Sequence, residues 1–293
     1  MDVKIERVAT TRDMLGEGPL WDEREQALYW IDSSARVVHR LDHKTGELRH
    51  WGVPQMIGCM ALREAGGAVV VLESGFYTLD FDTGQCTQIC DPAADDPRTR
   101  FNDGKVDRQG RFVAGTMIQD FSDESPIAHL YRLSPDHSVE TLDSQIVLSN
   151  GPCFSPDGKT LYFSDSLARV VYAYDYDTDG GAIGPRRVHI DVGRDHDGAG
   201  DGATVDSEGN LWVALVLNRQ IGKFDPDGIL METLNLPVRY PTSVMFGGPN
   251  LDQLYVTSIS SSGGLNATGP MDGTLLKITG HGATGIAEPR FKG

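Results

Sequence analysis

The sequence predicts an all-β fold, a six-bladed β-propeller. Three observations predict it. Short apolar runs recur at intervals of about 40 to 50 residues, turn-forming residues bracket each run, and a more polar run follows each in the same order.

The recurring runs are LYWID from Leu28, VVVLE from Val69, RFVAG from Arg111, LYFSD from Leu161, LWVAL from Leu211 and LYVTS from Leu254. Each reads as the second strand of a unit, entered through a tight turn: WDEREQA, REAGGA, DRQG, SPDGKT, DSEGN and GGPNLDQ in order. Gly158, Gly209 and Gly228 stand where such turns want positive φ. Third runs follow as VVHRLD, GFYTLD, HLYRLS, VVYAYD, QIGKFD and TLLKI, roughly alternating with period two. Further turns such as DHKTGEL, DFDTGQC and DPDGILM lead into a fourth, outer strand. A single unit of this kind buries only part of its apolar face, so the six are expected to close into one domain over residues 1–293. The opening strand VKIERVA is expected to complete the last blade and close the ring. Helix should be scarce.

A formal charge of -16 argues against a nucleic-acid partner, because phosphate binding draws on clustered Lys and Arg. The start, MDVKIERVATTRDM, lacks the basic and apolar segments of a secretion signal, and no run approaches membrane-spanning length. A cytoplasmic protein with no membrane partner is therefore expected. Cys59, Cys86, Cys90 and Cys153 form no CxxC pair and read as reduced, mostly buried thiols. No GxSxG elbow and no HxH or HExxH spacing occurs. His196, in GRDHDGAGDG, is the histidine nearest a strand head and reads as a solvated loop residue.

In a propeller the first strand of each blade lines the central channel, so residues at the strand heads converge on one axis. The position before glycine is Glu17 in GEGPLW, Asp103 in NDGKV, Asn150 in SNGPCF and Asp201 in GDGATV. The two remaining heads, IGCMAL and YPTSVM, are apolar or weakly polar. Singly, each of the four is a good strand-entry turn residue. Together, in one register, they form a ring of oxygen donors suited to a hard divalent cation such as Ca²⁺, Mg²⁺ or Mn²⁺. Without a cation the crowded carboxylates would raise one another's pKa. A second repeated position, Asp22, Asp107, Asp206 and Ser155, falls in the hairpin turns at the far end and reads as turn-forming.

The stretches LGEGPLW, RFNDGKVDRQGRFVAGTM, LSNGPCFSPDGKTLYFSDS, DGATVDSEGNLWVA and TSVMFGGPNLDQLYVTS, with the tail GIAEPRF, resemble the regucalcin (senescence marker protein) and gluconolactonase family over essentially the whole chain. The resemblance implies a six-bladed propeller with a central metal site and, in many members, hydrolysis of sugar lactones to aldonic acids. It implies Glu17, Asn150 and Asp201 as ligands of one divalent ion (Ca, Mg, Mn, Zn or Fe), and Arg100 and Asn102 as sugar contacts. Asp103 is then an acid close to the metal. Two departures stand out: GTMIQD puts Asp120 where many relatives have Glu, and ALVLNRQ replaces AHWGG after the fifth blade's second strand, removing a His and a Trp.

The expected activity is a divalent-metal-dependent lactonase opening an aldono-1,4- or 1,5-lactone, such as arabinono-, xylono- or gluconolactone. Asp201 is the expected general base with Asp103 its competitor, and Arg100, Asn102 and Asp120 contact a small-molecule sugar lactone. Two other functions use the same ring: an organophosphate hydrolase, and a non-catalytic calcium-binding protein. Polar contacts favour the lactone, whereas a phosphotriester would want a more apolar pocket.

Overall fold

The computed structural model describes residues 2–195 and 198–293. Among the described residues six four-stranded antiparallel sheets account for nearly all the secondary structure, with one short helix at Val192–Asp195. The six-bladed propeller is confirmed. The innermost strands are Gly16–Asp22, Ile57–Leu62, Thr99–Val106, Ser149–Phe154, Gly200–Val205 and Pro241–Gly247, and in the first five blades the strands run outward in chain order. Each inner strand packs against the next, and the sixth against the first, so the ring is closed. In the sixth blade Lys4–Arg7 pairs antiparallel with Leu276–Thr279 as the outermost strand, as the opening run predicted.

The second strands read as continuous apolar runs because both of their faces are buried. In Ala27–Asp32, Tyr29 and Ile31 pack toward the second blade, while Leu28 and Trp30 pack toward the sixth. The same division holds around the ring: each of the six apolar clusters lies between two neighbouring blades. Each blade thus shares its core with its neighbours.

At the far end of the inner strands the repeated acids hold turns. Asp206 accepts from the N–H groups of Glu208 and Asn210 and from Trp212 Nε1, and Asp107 accepts from the N–H groups of Gln109 and Arg111 and from the Tyr176 hydroxyl. The C-terminal segment crosses this end. Phe291, fully buried, exchanges backbone hydrogen bonds with Leu62 and Glu64, Arg290 pairs with Asp22, and Glu288 pairs with Arg108. The cysteines are free thiols, Cys59 and Cys153 buried and Cys86 and Cys90 half-buried. Among the described residues no helix is long and apolar enough to cross a membrane.

Candidate active site at the channel mouth

Every inner strand breaks its pairing at the same level. The register shifts between Glu17 and Leu20, Ile57 and Cys59, Phe101 and Gly104, Asn150 and Cys153, Gly200 and Ala203, and Pro241 and Val244. A bulge re-aims side chains out of the regular alternation, and six of them at one level turn a ring of strands into a ring of side chains facing the axis. Close approach of the strands depends on glycine: a Cβ at Gly58 would lie 2.1 Å from the carbonyl oxygen of Asn102, and one at Gly202 would lie 2.1 Å from Ser243 Oγ.

A cavity of about 540 Å³ opens over this level, with Glu17, Arg100, Asn102, Asn150 and Asp201 among its lining residues. Of the predicted site residues, the structure brings these five together. A second concavity of about 580 Å³ lies on the ring's periphery, lined by Tyr29, Arg40, Trp51 and Phe81 among others, and no strand-head residue reaches it.

The Asn150 amide is fixed from two sides, by Ser166 and Asn102. Its Nδ2 donates to Ser166 Oγ at 2.9 Å, Ser166 Oγ donates to the Gly200 carbonyl at 2.6 Å, and Asn102 Nδ2 donates to Asn150 Oδ1 at 2.7 Å. Asn102 Nδ2 also reaches the Ser149 carbonyl at 2.8 Å, and Arg100 Nη1 donates to the Phe101 carbonyl at 2.8 Å and to Asn102 Oδ1 at 3.2 Å. A chain of hydrogen bonds therefore runs from Arg100 through Asn102 and Asn150 to the fifth blade.

Burial pushes the Glu17 and Asp201 carboxyls well above the ordinary carboxylate range, and neighbouring acids add to it: Asp201 and Asp103 for Glu17, Asp103 for Asp201. Burial also lowers the Arg100 guanidinium, against the pull of Glu73 and Glu17. Among the described residues neither Glu17 nor Asp201 forms an ion pair with Lys or Arg. Two acids that repel each other, Asp201 buried and Glu17 half-buried, beside an amide oxygen, fit a divalent cation. Among the described residues no three His, Cys, Asp or Glu side chains form a metal-binding group.

Asp103 and Asp120 do not line this cavity, although the charge of Asp103 reaches Glu17 and Asp201. Counted back from the far flank of the bulge, Gly104 in the third blade and Ala203 in the fifth, Asn102 holds the register of Asp201, and Asp103 that of Gly202. Asp103 accordingly lines a small cavity farther down the channel, with Lys105 and Glu288, and accepts from the N–H groups of Gly104 at 2.7 Å and Gly151 at 2.9 Å. Asp120 is exposed and accepts from the backbone N–H and hydroxyl of Ser122, while its neighbours Gln119 and Phe121 line the cavity. His196 lies outside the described residues.

Residues 15–260 match the family described as SMP-30/Gluconolactonase/LRE-like region. The chain belongs to this family. All five residues at the cavity floor fall inside the SMP-30/gluconolactonase match, whereas the closing strand Lys4–Arg7 and the C-terminal segment lie outside it. Similar proteins include a regucalcin of Xenopus laevis, 38% identical over 99% of both chains, and a 6-deoxy-6-sulfogluconolactonase of Pseudomonas putida, 36% identical over 100% of both. Among solved structures, a calcium-binding regucalcin from Agrobacterium tumefaciens superposes with a TM-score of 0.90 at 27% identity, covering 98% of this chain and 96% of that one.

Three contributors to the site escaped sequence reasoning. Ser166 orients Asn150, and Glu73 faces Arg100; both follow or end a second strand, where LYFSDS and VVVLE return to the mouth. The third is the apolar wall of the cavity, built mostly from connecting segments, with Met117 from the strand Phe112–Ile118.

Proposed function

We propose that the protein is a divalent-metal-dependent lactonase that opens a sugar lactone to the free acid, with Glu17, Asn150 and Asp201 holding the ion. The observation that carries this is the convergence of those three donors with Arg100 and Asn102 on one cavity floor. Membership of a family that contains gluconolactonases, and likeness to a calcium-binding regucalcin, support it. A divalent ion bound there supplies Lewis acidity, polarising the carbonyl and lowering the pKa of water.

The chain's own residues do the rest. Asn102 and Arg100 bind the lactone's oxygens, their orientation set by the hydrogen bonds to Asn150 and to the Phe101 carbonyl. Asp201 accepts a proton from the attacking water as its oxygen bonds to the carbonyl carbon. The ester bond to the ring oxygen then breaks, that oxygen takes the proton back as a hydroxyl, and the acid is released. Arg100, the cation among the described lining residues, opposes the negative charge that develops. Asp103 stands below, with both oxygens engaged by backbone N–H groups, and acts on the site through its charge and through Gly151. Asp120, on the rim, is placed to meet only a substrate that extends out of the cavity.

The apolar wall favours one other reading, hydrolysis of a phosphotriester at the same floor. The experiment is an assay of acid release from a panel of aldonolactones and from an aryl dialkyl phosphate, on protein stripped with chelator and reloaded with Ca²⁺, Mg²⁺, Mn²⁺, Zn²⁺ or Fe²⁺. Lactone turnover lost on stripping and regained with an ion is the expected result. Turnover of the triester alone would establish the second reading, and turnover of neither would leave a metal-binding protein.

A further inference from the structure

The cavity is polar at its floor and apolar on its walls. Above Glu17, Asn102, Asn150 and Asp201 stand Met117 and Phe121 from the third blade, Leu148 and Leu167 from the fourth, and Val216 and Leu217 from the fifth. Phe121 and Leu217 remain 48% and 54% exposed, so two of the chain's exposed large apolar side chains sit at one mouth. From the sixth blade the hairpin of Ser261–Ser262 and Leu265–Asn266 reaches toward Phe121: a Cβ at its tip, Gly263, would lie 3.9 Å from the ring.

Two polar groups above the floor are already engaged. Gln119 Nε2 donates to the carbonyls of Pro97 and Thr99 at 2.9 and 3.1 Å, and Ser262 Oγ shares a hydrogen bond with Ser34 Oγ at 3.1 Å. Arg100 is the cation among the described lining residues, held low between Glu73 and Glu17. Beside Leu167, Val216 and Leu217 a polyol chain would gain no hydrogen bond from these side chains, and an anionic chain would meet no cation but Arg100 among the described lining residues. Methyl or methylene groups in the same place would be buried favourably.

We infer that the substrate is a lactone whose ring oxygens meet the polar floor and whose substituent, on the ring carbon bonded to the ester oxygen, is uncharged and apolar: an alkyl or deoxygenated chain. The inference rests on the lactonase reading above and narrows its substrate. Leu217 and Phe121 are the side chains that select for that substituent.

The test compares, on metal-loaded protein, two 1,4-lactones with the same 2- and 3-hydroxyls, one carrying an alkyl chain at C4 and the other a hydroxylated chain of equal length. The expected kcat/KM for the alkyl lactone is higher by about tenfold or more, since one methylene in an apolar pocket is worth about 10- to 200-fold. Leu217→Asn and Phe121→Asn, both at exposed positions and checked for folding by circular dichroism, are expected to cut that ratio by about tenfold. Hydrolysis of both lactones with an equal or reversed preference, or a ratio unmoved in both folded variants, would overturn the inference and leave the lactonase reading standing. Hydrolysis of neither lactone with any ion, beside cleavage of an aryl dialkyl phosphate, would overturn both.

Discussion

Asn102 Nδ2 lies 2.7 Å from Asn150 Oδ1 and ties the inner strand of the third blade to that of the fourth. The bond fixes the amide oxygen that the proposed ion would use. Asn102→Leu is expected to weaken divalent-ion affinity by about 10- to 100-fold, the usual effect of removing a group that orients a ligand. Competition against a chromogenic chelator measures it, and undiminished affinity would detach Asn150 from the ion.

Asp201 and Asp103 are separated by their register, and their variants should differ in kind. Asp201→Asn is expected to lower kcat by about 10²- to 10⁴-fold, the range of general-base assistance. Asp103→Asn keeps an oxygen for the Gly151 N–H and should lose much less. Steady-state kinetics on metal-loaded variants compares them, and the opposite order would make Asp103 the base.

Two half-buried imidazoles set an acid limit. Burial lowers the pKa of His189 and of His281, and among the described residues His189 Nε2 has no hydrogen-bond partner. The folded state therefore binds fewer protons than the unfolded chain, whose imidazoles titrate near 6.5. Their contribution to stability is complete above that value and is lost as pH falls through it toward the lowered folded values. Thermal melts of metal-loaded protein at pH 7 and pH 5 should show a larger drop in Tm for the parent than for a His189→Phe, His281→Phe double variant.

Phe291 is fully buried among residues of the second and third blades. Phe291→Ala is expected to destabilise the protein by about 3 to 5 kcal/mol, through lost burial and the cavity left behind. Urea unfolding gives the value, and a change below about 1 kcal/mol would show that the segment packs without supporting the ring.

The blades were legible because their second strands, apolar on both faces, recur at a steady interval. Glu17, Asn150 and Asp201 were legible because each precedes a glycine at a strand head. In the third blade glycine stands one residue later relative to the bulge than in the fifth, so that Asn102, and not Asp103, shares the register of Asp201. Alignment counts residues, whereas pairing decides which way a side chain points. Asp120 follows the last strand residue, Ile118, by two, where alternation no longer dictates direction, and there Gln119 and Phe121 take the cavity. The apolar wall draws on Phe121, Leu167 and Leu217, all in connecting segments, and periodic patterns carry no information about such places.

The seam in the sixth blade has a consequence for biosynthesis. Lys4–Arg7 pairs with Leu276–Thr279, so during synthesis the earlier segment waits for one that follows far along the sequence. Until then the sixth blade lacks its outer strand, and a growing row of blades exposes apolar faces and bare strand edges at both ends. Closure joins segments separated by nearly the whole chain, which makes it a slow, non-local step. Chaperone demand should therefore peak just before Leu276–Thr279 is made, and a circular permutant opened between two blades, with the sixth blade continuous, should fold with less aggregation than the natural order.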